Sequence, residues 1–486
     1  MLSLVEKLVL SLNKREKSYF KKINESQNLD NLSTNYLTLY NHITKNKRID
    51  KKKLILQKKK IMSNLSKEKE ILVQKILISL FTLHNDDSIF NKIIKCILFT
   101  KFLIGKGINE NTLKYLIKAK NYAYQNEEFT LILVIIDLEQ HLCFNHCFIK
   151  DYDKFNELEE ERFKIIDIIN NLNSLIKIKT EIQQFQFNEN CYSFDINYFI
   201  EKYGHSPLVS ENEIKSIKAK SIWYYIMFFY YFIKHDYQLA YDFINMQYEL
   251  FKKHPKCFEK DNYLQLYGNL LYTCALLNKV DTFNSIMQEF RNLKCNSMQD
   301  DIYVKRTYYF RTLELYHNLK RYQEASNLAI EAEIFINRNK KYSENQHNSY
   351  LYVLVIRAYI ENNDFISVIK SSQKYINIYG YKLYSSIFRL FEFIAHYKLE
   401  NYENLLYSVN SWAKVISLKR NLFPFEKVLI KFFRTVCNKI SLNDKKQLIS
   451  STYLNLKELE NNTQKIYLNH YFDFAAWFER ELEEIK

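Results

Sequence analysis

The sequence predicts an all-α protein, a solenoid of stacked helical hairpins closed by helical caps at both ends, and three observations carry that prediction. Only 5 glycines and 3 prolines occur in 486 residues. Sheets with tight hairpins and loops that cradle phosphates need more glycine, because positive φ is cheap only for that residue. Apolar side chains recur at helical spacing, as with Tyr309, Leu313 and Tyr316 at i, i+4 and i+7. A hairpin unit, clearest over Tyr309–Ala332, returns about every 42 residues along most of the chain, a period in the range of stacked helix pairs. The chain also exceeds the size at which one compact core keeps growing.

Residues 1–90 read as a basic module of short helices. The first starts at Met1, and Ser11 with Asn13 and Glu16 marks a stop and a new N-cap before KREKSYFKKI. TNYLTLYNHITKN, IDKKKLILQKKKI and LSKEKEILVQKILISLFTLH follow, the last with Ser66 as its cap. Of the formal charge of +15, an excess of 11 lies between Met1 and Lys75, where 18 Lys and Arg face 7 Asp and Glu. Lys45, Lys47, Arg48, Lys51, Lys52, Lys53, Lys58, Lys59 and Lys60 form a basic patch. Several cations on one face are what phosphate binding needs, so nucleic acid is a candidate partner here. A basic helix after a short turn suits a DNA reader, but the turn TKNKRID lacks glycine, and a tri-helical cap on a solenoid, with a solvated basic face, has the same pattern.

Residues 91–190 form a first helical-repeat arm, 191–212 an irregular break around Gly204 and Pro207, and 213–417 the main repeat array. Corner residues mark the copies: Ile108, Tyr152, Tyr237, Val280, Tyr322, Phe365 and Tyr402, at intervals of 44, 85, 43, 42, 43 and 37. The interval of 85 holds two units, one of them degenerate near Phe194. Three columns precede the five C-terminal markers. Thirteen before stand Tyr224, Tyr267, Tyr309, Tyr352 and Arg389; nine before, Phe228, Leu271, Leu313, Ile356 and Phe393; six before, Tyr231, Cys274, Tyr316, Tyr359 and His396. Asp151–Gln186 reads as one extended helix or a pair. Residues 418–486 read as three capping helices beginning near Leu418, Asn443 and Thr463 and ending in the polar ERELEEIK.

Eight scattered cysteines indicate a reducing compartment. The N-terminus has no basic region ahead of its apolar residues, and the longest apolar run, Ile222–Ile233, has 12 residues, too few to span a bilayer. A cytoplasmic protein without membrane contact is therefore expected. Little in the chain points to catalysis. Gly105 and Gly107 lack the lysine and hydroxyl of a phosphate loop and read as a turn before a helix near Asn111. His141, Cys143, His146 and Cys147 have metal-like spacing, yet His146 and Cys143 fall six and nine before Tyr152, in columns filled by core residues elsewhere. We expect no catalytic residue, metal or cofactor, and a non-enzymatic protein.

The array resembles tetratricopeptide repeats, which place an aromatic at the corner and a small residue three further on, as Tyr322 with Ala325 and Tyr237 with Ala240 do. It departs from that pattern in its longer period, against the usual 34 or so, and in Phe283, Val368 and Leu405 at the small position. The resemblance covers residues 90–415. It implies a right-handed superhelix and places groove positions 12, 8 and 5 before each marker: Tyr225, Phe229 and Phe232; Gly268, Tyr272 and Ala275; Phe310, Glu314 and His317; Val353, Arg357 and Ile360. Of these, Tyr225, Phe229, Tyr272, Phe310, Glu314, His317 and Arg357 are the expected contacts for a protein or peptide partner, since aromatic and arginine anchors dominate such interfaces. Burial by the superhelix itself is the competing reading of those positions. The whole chain is also similar to a largely uncharacterised family of bacterial helical-repeat proteins, through SLNKREKSYFKK near its start and YFDFAAWFER at Tyr471–Arg480. The expected function is a protein-interaction scaffold; the alternative is a nucleic-acid-associated regulator using the basic N-terminal helices, with the solenoid as sensor or dimerisation arm.

Overall fold

The computed structural model describes residues 3–26, 35–50, 54, 61, 64–84, 88–108, 112–145, 152–187, 211–258, 260–295, 297–339, 345–379, 383–418, 422–438, 441–459 and 472–484. Among these the chain is all-α, with twenty-one α-helices, two short 3-10 turns and no strand. It divides into two compact units, residues 1–170 and 171–486. No described helix is long and apolar enough to cross a membrane.

The first unit opens with α1 (Leu4–Ser11), α2 (Lys14–Ser26), α3 (Asn35–Asn46) and α4 (Leu65–Leu83). Helix α4 packs against the other three, and Val9, Phe20, Tyr40, Ile43, Leu72 and Ile76 fill the space between them. The α1–α2 junction is set by reciprocal capping. The Asn13 side chain accepts from the Glu16 amide at 2.9 Å, and the Glu16 carboxylate accepts from the Asn13 amide at 2.8 Å. Ser66 does not cap α4; it lies inside the first turn, and Asn64 precedes the helix. Of IDKKKLILQKKKI, all but Ile49, Asp50, Leu54 and Ile61 lie outside the described residues.

Helices α5 (Ile89–Gly105), α6 (Thr112–Gln125), α7 (Phe129–Asn145) and α8 (Tyr152–Phe187) follow. Helix α8 is one continuous element of 36 residues, which decides between the two readings of that stretch. Lys120 on α6 bridges Glu139 on α7 at 2.6 Å and Glu161 on α8 at 2.7 Å. The register expected for this arm needs correction. Tyr152 is 61% exposed and Ile108 50% exposed, so neither packs between helices. A tight corner at Glu127, φ 53°, lies between them and leads into Phe129, which is 7% exposed. Of the break expected at 191–212, residues 191–210 lie outside the described residues.

The second unit runs from the C-terminal part of α8 through α9 (Ile217–Ile233), α10 (Tyr237–Lys253), α11 (Lys260–Leu276), α12 (Val280–Arg291), α13 (Met298–Asn318), α14 (Tyr322–Arg338), α15 (Asn345–Glu361), α16 (Phe365–Tyr379), α17 (Leu383–Lys398), α18 (Tyr402–Ser417), α19 (Pro424–Val436), α20 (Leu442–Leu459) and α21 (Phe474–Glu484). Each of α9 to α19 touches the next, and α11, α13, α15, α17 and α19 also touch in succession. The second helix of each pair therefore touches both its own partner and the first helix of the following pair. The columns predicted nine before the markers are core: Phe228 is 3% exposed, and Leu271, Leu313, Ile356 and Phe393 are 0% exposed. The position three after the marker is equally closed, whether it is Ala240, Ala325, Phe283, Val368 or Leu405.

Each corner is a backbone device the composition conceals. Two residues before the markers stand His235, Asn278, Lys320, Asn363 and Glu400, with φ of 60°, 54°, 57°, 58° and 57°. The following amide turns back to a carbonyl five residues earlier: Asp236 to Tyr231 at 3.0 Å, Lys279 to Cys274 at 2.9 Å, Arg321 to Tyr316 at 2.8 Å, Asp364 to Tyr359 at 2.9 Å and Asn401 to His396 at 2.9 Å. This is the Schellman closure of a helix, a site where glycine is the usual residue. Here ordinary side chains occupy it, at a cost of about 1–2 kcal/mol for each L-residue held in the left-handed region. Scarcity of glycine therefore does not mean scarcity of positive φ.

The C-terminal end also differs from expectation. Its described helices begin at Pro424, Leu442 and Phe474; the second start lies one residue from the expected Asn443, the first lies six beyond Leu418, and Thr463 lies outside the described residues. The last helix is not a wholly polar terminus. Trp477 and Phe478 are core residues, and Glu481 is 5% exposed and receives Lys398 of α17 at 2.8 Å.

Candidate functional site

Five of the seven expected groove residues meet in one polar cluster across α11, α13 and α15. Helical spacing puts Phe310, Arg311, Glu314 and His317 on one face of α13, and Tyr272 of α11 and Tyr350, Arg357 and Glu361 of α15 flank it. The Arg311 guanidinium lies 4.6 Å from the Tyr272 ring centre and 4.4 Å from that of Phe310. It donates to the Glu314 carboxylate at 2.7 Å. Phe310 meets Tyr350 edge to face at 4.9 Å. On α15, Arg357 donates to Glu361 at 2.8 Å, and the other Glu361 oxygen faces His317 Nδ1 at 2.5 Å.

Burial sets the electrostatics. Glu314 is 6% exposed, and burial pushes its carboxyl above the ordinary range despite the pull of Arg311 and a hydrogen bond from Tyr350. Burial, reinforced by Glu314, keeps the Tyr272 and Tyr350 hydroxyls protonated. Burial pushes Glu361 up as well, but His317 and Arg357 outweigh it and hold that carboxyl at about 2. Burial and then Arg357 push the His317 imidazole down, a direction opposed by its hydrogen bonds. His317 Nε2 faces the Leu354 carbonyl oxygen at 3.1 Å, so both ring nitrogens face acceptors. His317 and Glu361 therefore hold one proton between them and act as a unit.

Two polar atoms in the cluster are left over. Glu314 Oε1 and Arg311 Nε are both buried and have no hydrogen-bond partner. One is an acceptor and the other a donor, on residues three apart on one helix. Unsatisfied buried groups of this kind carry a cost of about 1–3 kcal/mol each until something completes them.

The other groove positions are packed. Tyr225 and Phe229 are 3% and 4% exposed and belong to the core of the second unit, as do Ala275 and Cys274. Phe232 is half-buried against Tyr272, 5.5 Å between ring centres. Gly268 has Tyr303 as its neighbour, and Val353 and Ile360 are 0% and 4% exposed. The half-buried part of the face is Phe232, Tyr272, Phe310, Arg311, Tyr350 and Arg357.

Three members of the cluster, Arg311, Tyr350 and Glu361, fall outside the columns carried over from the repeat pattern. The only sequence signals for them are ion pairs at helical spacing, Arg311 with Glu314 and Arg357 with Glu361. In the basic patch, Lys45, Lys47 and Arg48 are exposed at and beyond the end of α3. Lys51, Lys52, Lys53, Lys58, Lys59 and Lys60 lie outside the described residues, as do His146 and Cys147. His141 is exposed on α7 and Cys143 half-buried, and no group of three metal-ligating side chains exists among the described residues. Compared with known protein families, characterised proteins and solved structures, the chain gives no significant match.

Proposed function

We propose that the chain is a cytoplasmic, non-enzymatic interaction scaffold, a right-handed α-solenoid of tetratricopeptide-like hairpins that holds an extended segment of a partner protein. The segment lies across α11, α13 and α15, with Tyr272, Phe310, Arg311 and Arg357 as its anchors. One observation carries this reading: the acceptor Glu314 Oε1 and the donor Arg311 Nε, on one face of α13, are both buried and without a hydrogen-bond partner. A peptide backbone offers an N–H and a C=O in that combination. A modest opening of the half-buried rings satisfies both atoms and recovers the cost of leaving them bare. A second reading, nucleic acid on the N-terminal module, rests on the exposed Lys45, Lys47 and Arg48.

The test is affinity capture of the full chain from its own cells, with and without nuclease, beside Tyr272→Ala and Arg357→Ala. The scaffold reading expects a protein that survives nuclease and falls at least about tenfold with either variant, while helical circular dichroism stays at the wild-type level. Partners lost on nuclease treatment move the weight to the basic patch.

A further inference from the structure

The second unit contains a cavity of about 220 Å³ between the C-terminal part of α8 and helices α9, α10 and α11. We infer that it is a binding site for a small organic carboxylate. The inference is independent of the groove reading: the two share helix α11, but none of Tyr272, Phe310, Arg311 and Arg357 lines this cavity.

The charge of the wall is the first argument. Lys179 of α8 and Lys218 of α9 both line the cavity, and no carboxylate does among the described residues. Lys179 is half-buried, its Nζ lies 5.5 Å above the centre of the Tyr225 ring, and it has no ion-pair partner among the described residues. An aromatic face holds an ammonium without neutralising it. Burial accordingly pushes the Lys179 amine below its ordinary range, a penalty that an anion in the cavity reverses. Lys398, equally half-buried in this unit, instead meets Glu481 and Glu484 at 2.8 and 2.7 Å.

The neutral polar groups are the second argument. Gln247 of α10 is held by Ser221, its Nε2 donating to the Ser221 carbonyl at 2.9 Å and to its hydroxyl at 3.0 Å. Asn262, Gln265 and Asn269 of α11 add further amides to the wall. The rest is apolar, with Ile176, Phe258 and Leu266 facing the same space. The volume is below the roughly 300–1,000 Å³ of drug-sized sites. A compact molecule fits best, with a carboxylate for Lys179 and an apolar body for the other wall. Inorganic phosphate satisfies the charge but leaves the apolar wall bare.

Calorimetry of the full chain with benzoate, benzamide and inorganic phosphate as probes tests this. The expected result is saturable benzoate binding, no measurable benzamide binding, and benzoate affinity at least about tenfold weaker in Lys179→Met. A second readout keeps the test valid if that variant misfolds: in the wild-type protein carrying isotope-labelled dimethyl-lysines, the Lys179 resonance titrates at higher pH once benzoate is added. Benzamide binding as well as benzoate, phosphate binding better than benzoate, or a Lys179 resonance indifferent to benzoate overturns the proposal.

Discussion

The corner at Lys320 offers a test of the hairpin that needs no knowledge of the partner. Lys320 has φ 57°, is exposed, and joins α13 to α14 through the Arg321-to-Tyr316 hydrogen bond of 2.8 Å. Holding a side chain in the left-handed region costs about 1–2 kcal/mol. Lys320→Gly removes that cost but gives the unfolded chain back about 0.4–1 kcal/mol of conformational freedom. The net expectation is stabilisation by about 0.5–1 kcal/mol. Glu400→Gly, at φ 57° in another corner, adds independently because the sites share no partner. At Asn278 and Asn363 the gain is smaller, since asparagine tolerates this region. Lys320→Val, with a β-branched side chain, destabilises by about 1 kcal/mol or more. Urea unfolding followed by circular dichroism reads all of these. Loss of about 1 kcal/mol in Lys320→Gly, the usual penalty for glycine inside a helix, refutes the corner and makes α13 and α14 one continuous helix.

Three further outcomes follow from the buried polar groups. Glu361 is held at about 2 in the folded chain, below its unfolded value, so its contribution is present above about pH 4 and is lost as pH falls toward 2. Glu361→Gln abolishes that acid-dependent part and costs about 3 kcal/mol near neutrality by leaving the Arg357 guanidinium without its counter-charge. Glu314 has the opposite sign: its folded value is raised, so stability falls as pH climbs from about 4 through that raised value, and Glu314→Gln flattens the fall. Glu333 accepts from Tyr359 at 3.1 Å, from Ser371 at 3.2 Å and from Tyr375. Glu333→Ala leaves three hydroxyls short of a partner and costs about 2–3 kcal/mol in the same urea assay.

How much of this was legible in the sequence depends on how local the cause is. The helices, the hairpin period and the core columns were readable because each rests on periodic burial, and Phe228, Leu271, Leu313, Ile356 and Phe393 are closed as that periodicity demands. The Asn13–Glu16 cap was readable because three-residue spacing determines it. The left-handed corners were not, since Lys320 and Glu400 carry no intrinsic preference for positive φ and the closing hydrogen bonds are made by backbone alone. The Glu127 corner escaped for the same reason, and with it the register of the first arm. At the candidate site, columns brought Tyr272, Phe310, Glu314, His317 and Arg357 into view, but burial of Glu314 arises from three separate helices and no spacing announces it. Lys179 gave no signal at all, because one lysine among 70 basic residues is informative only once its neighbours are known.

The central claim is that a partner segment lies over the α13 face that carries Phe310 and Arg311. The most direct measurement places a photo-crosslinking phenylalanine at Phe310, half-buried on that face, and at Glu331, exposed on α14, and irradiates the full chain in its own cells. The account predicts a discrete protein adduct from position 310 that survives nuclease and is missing from position 331. An adduct from 331 with none from 310, in variants that melt as the wild type does, contradicts it.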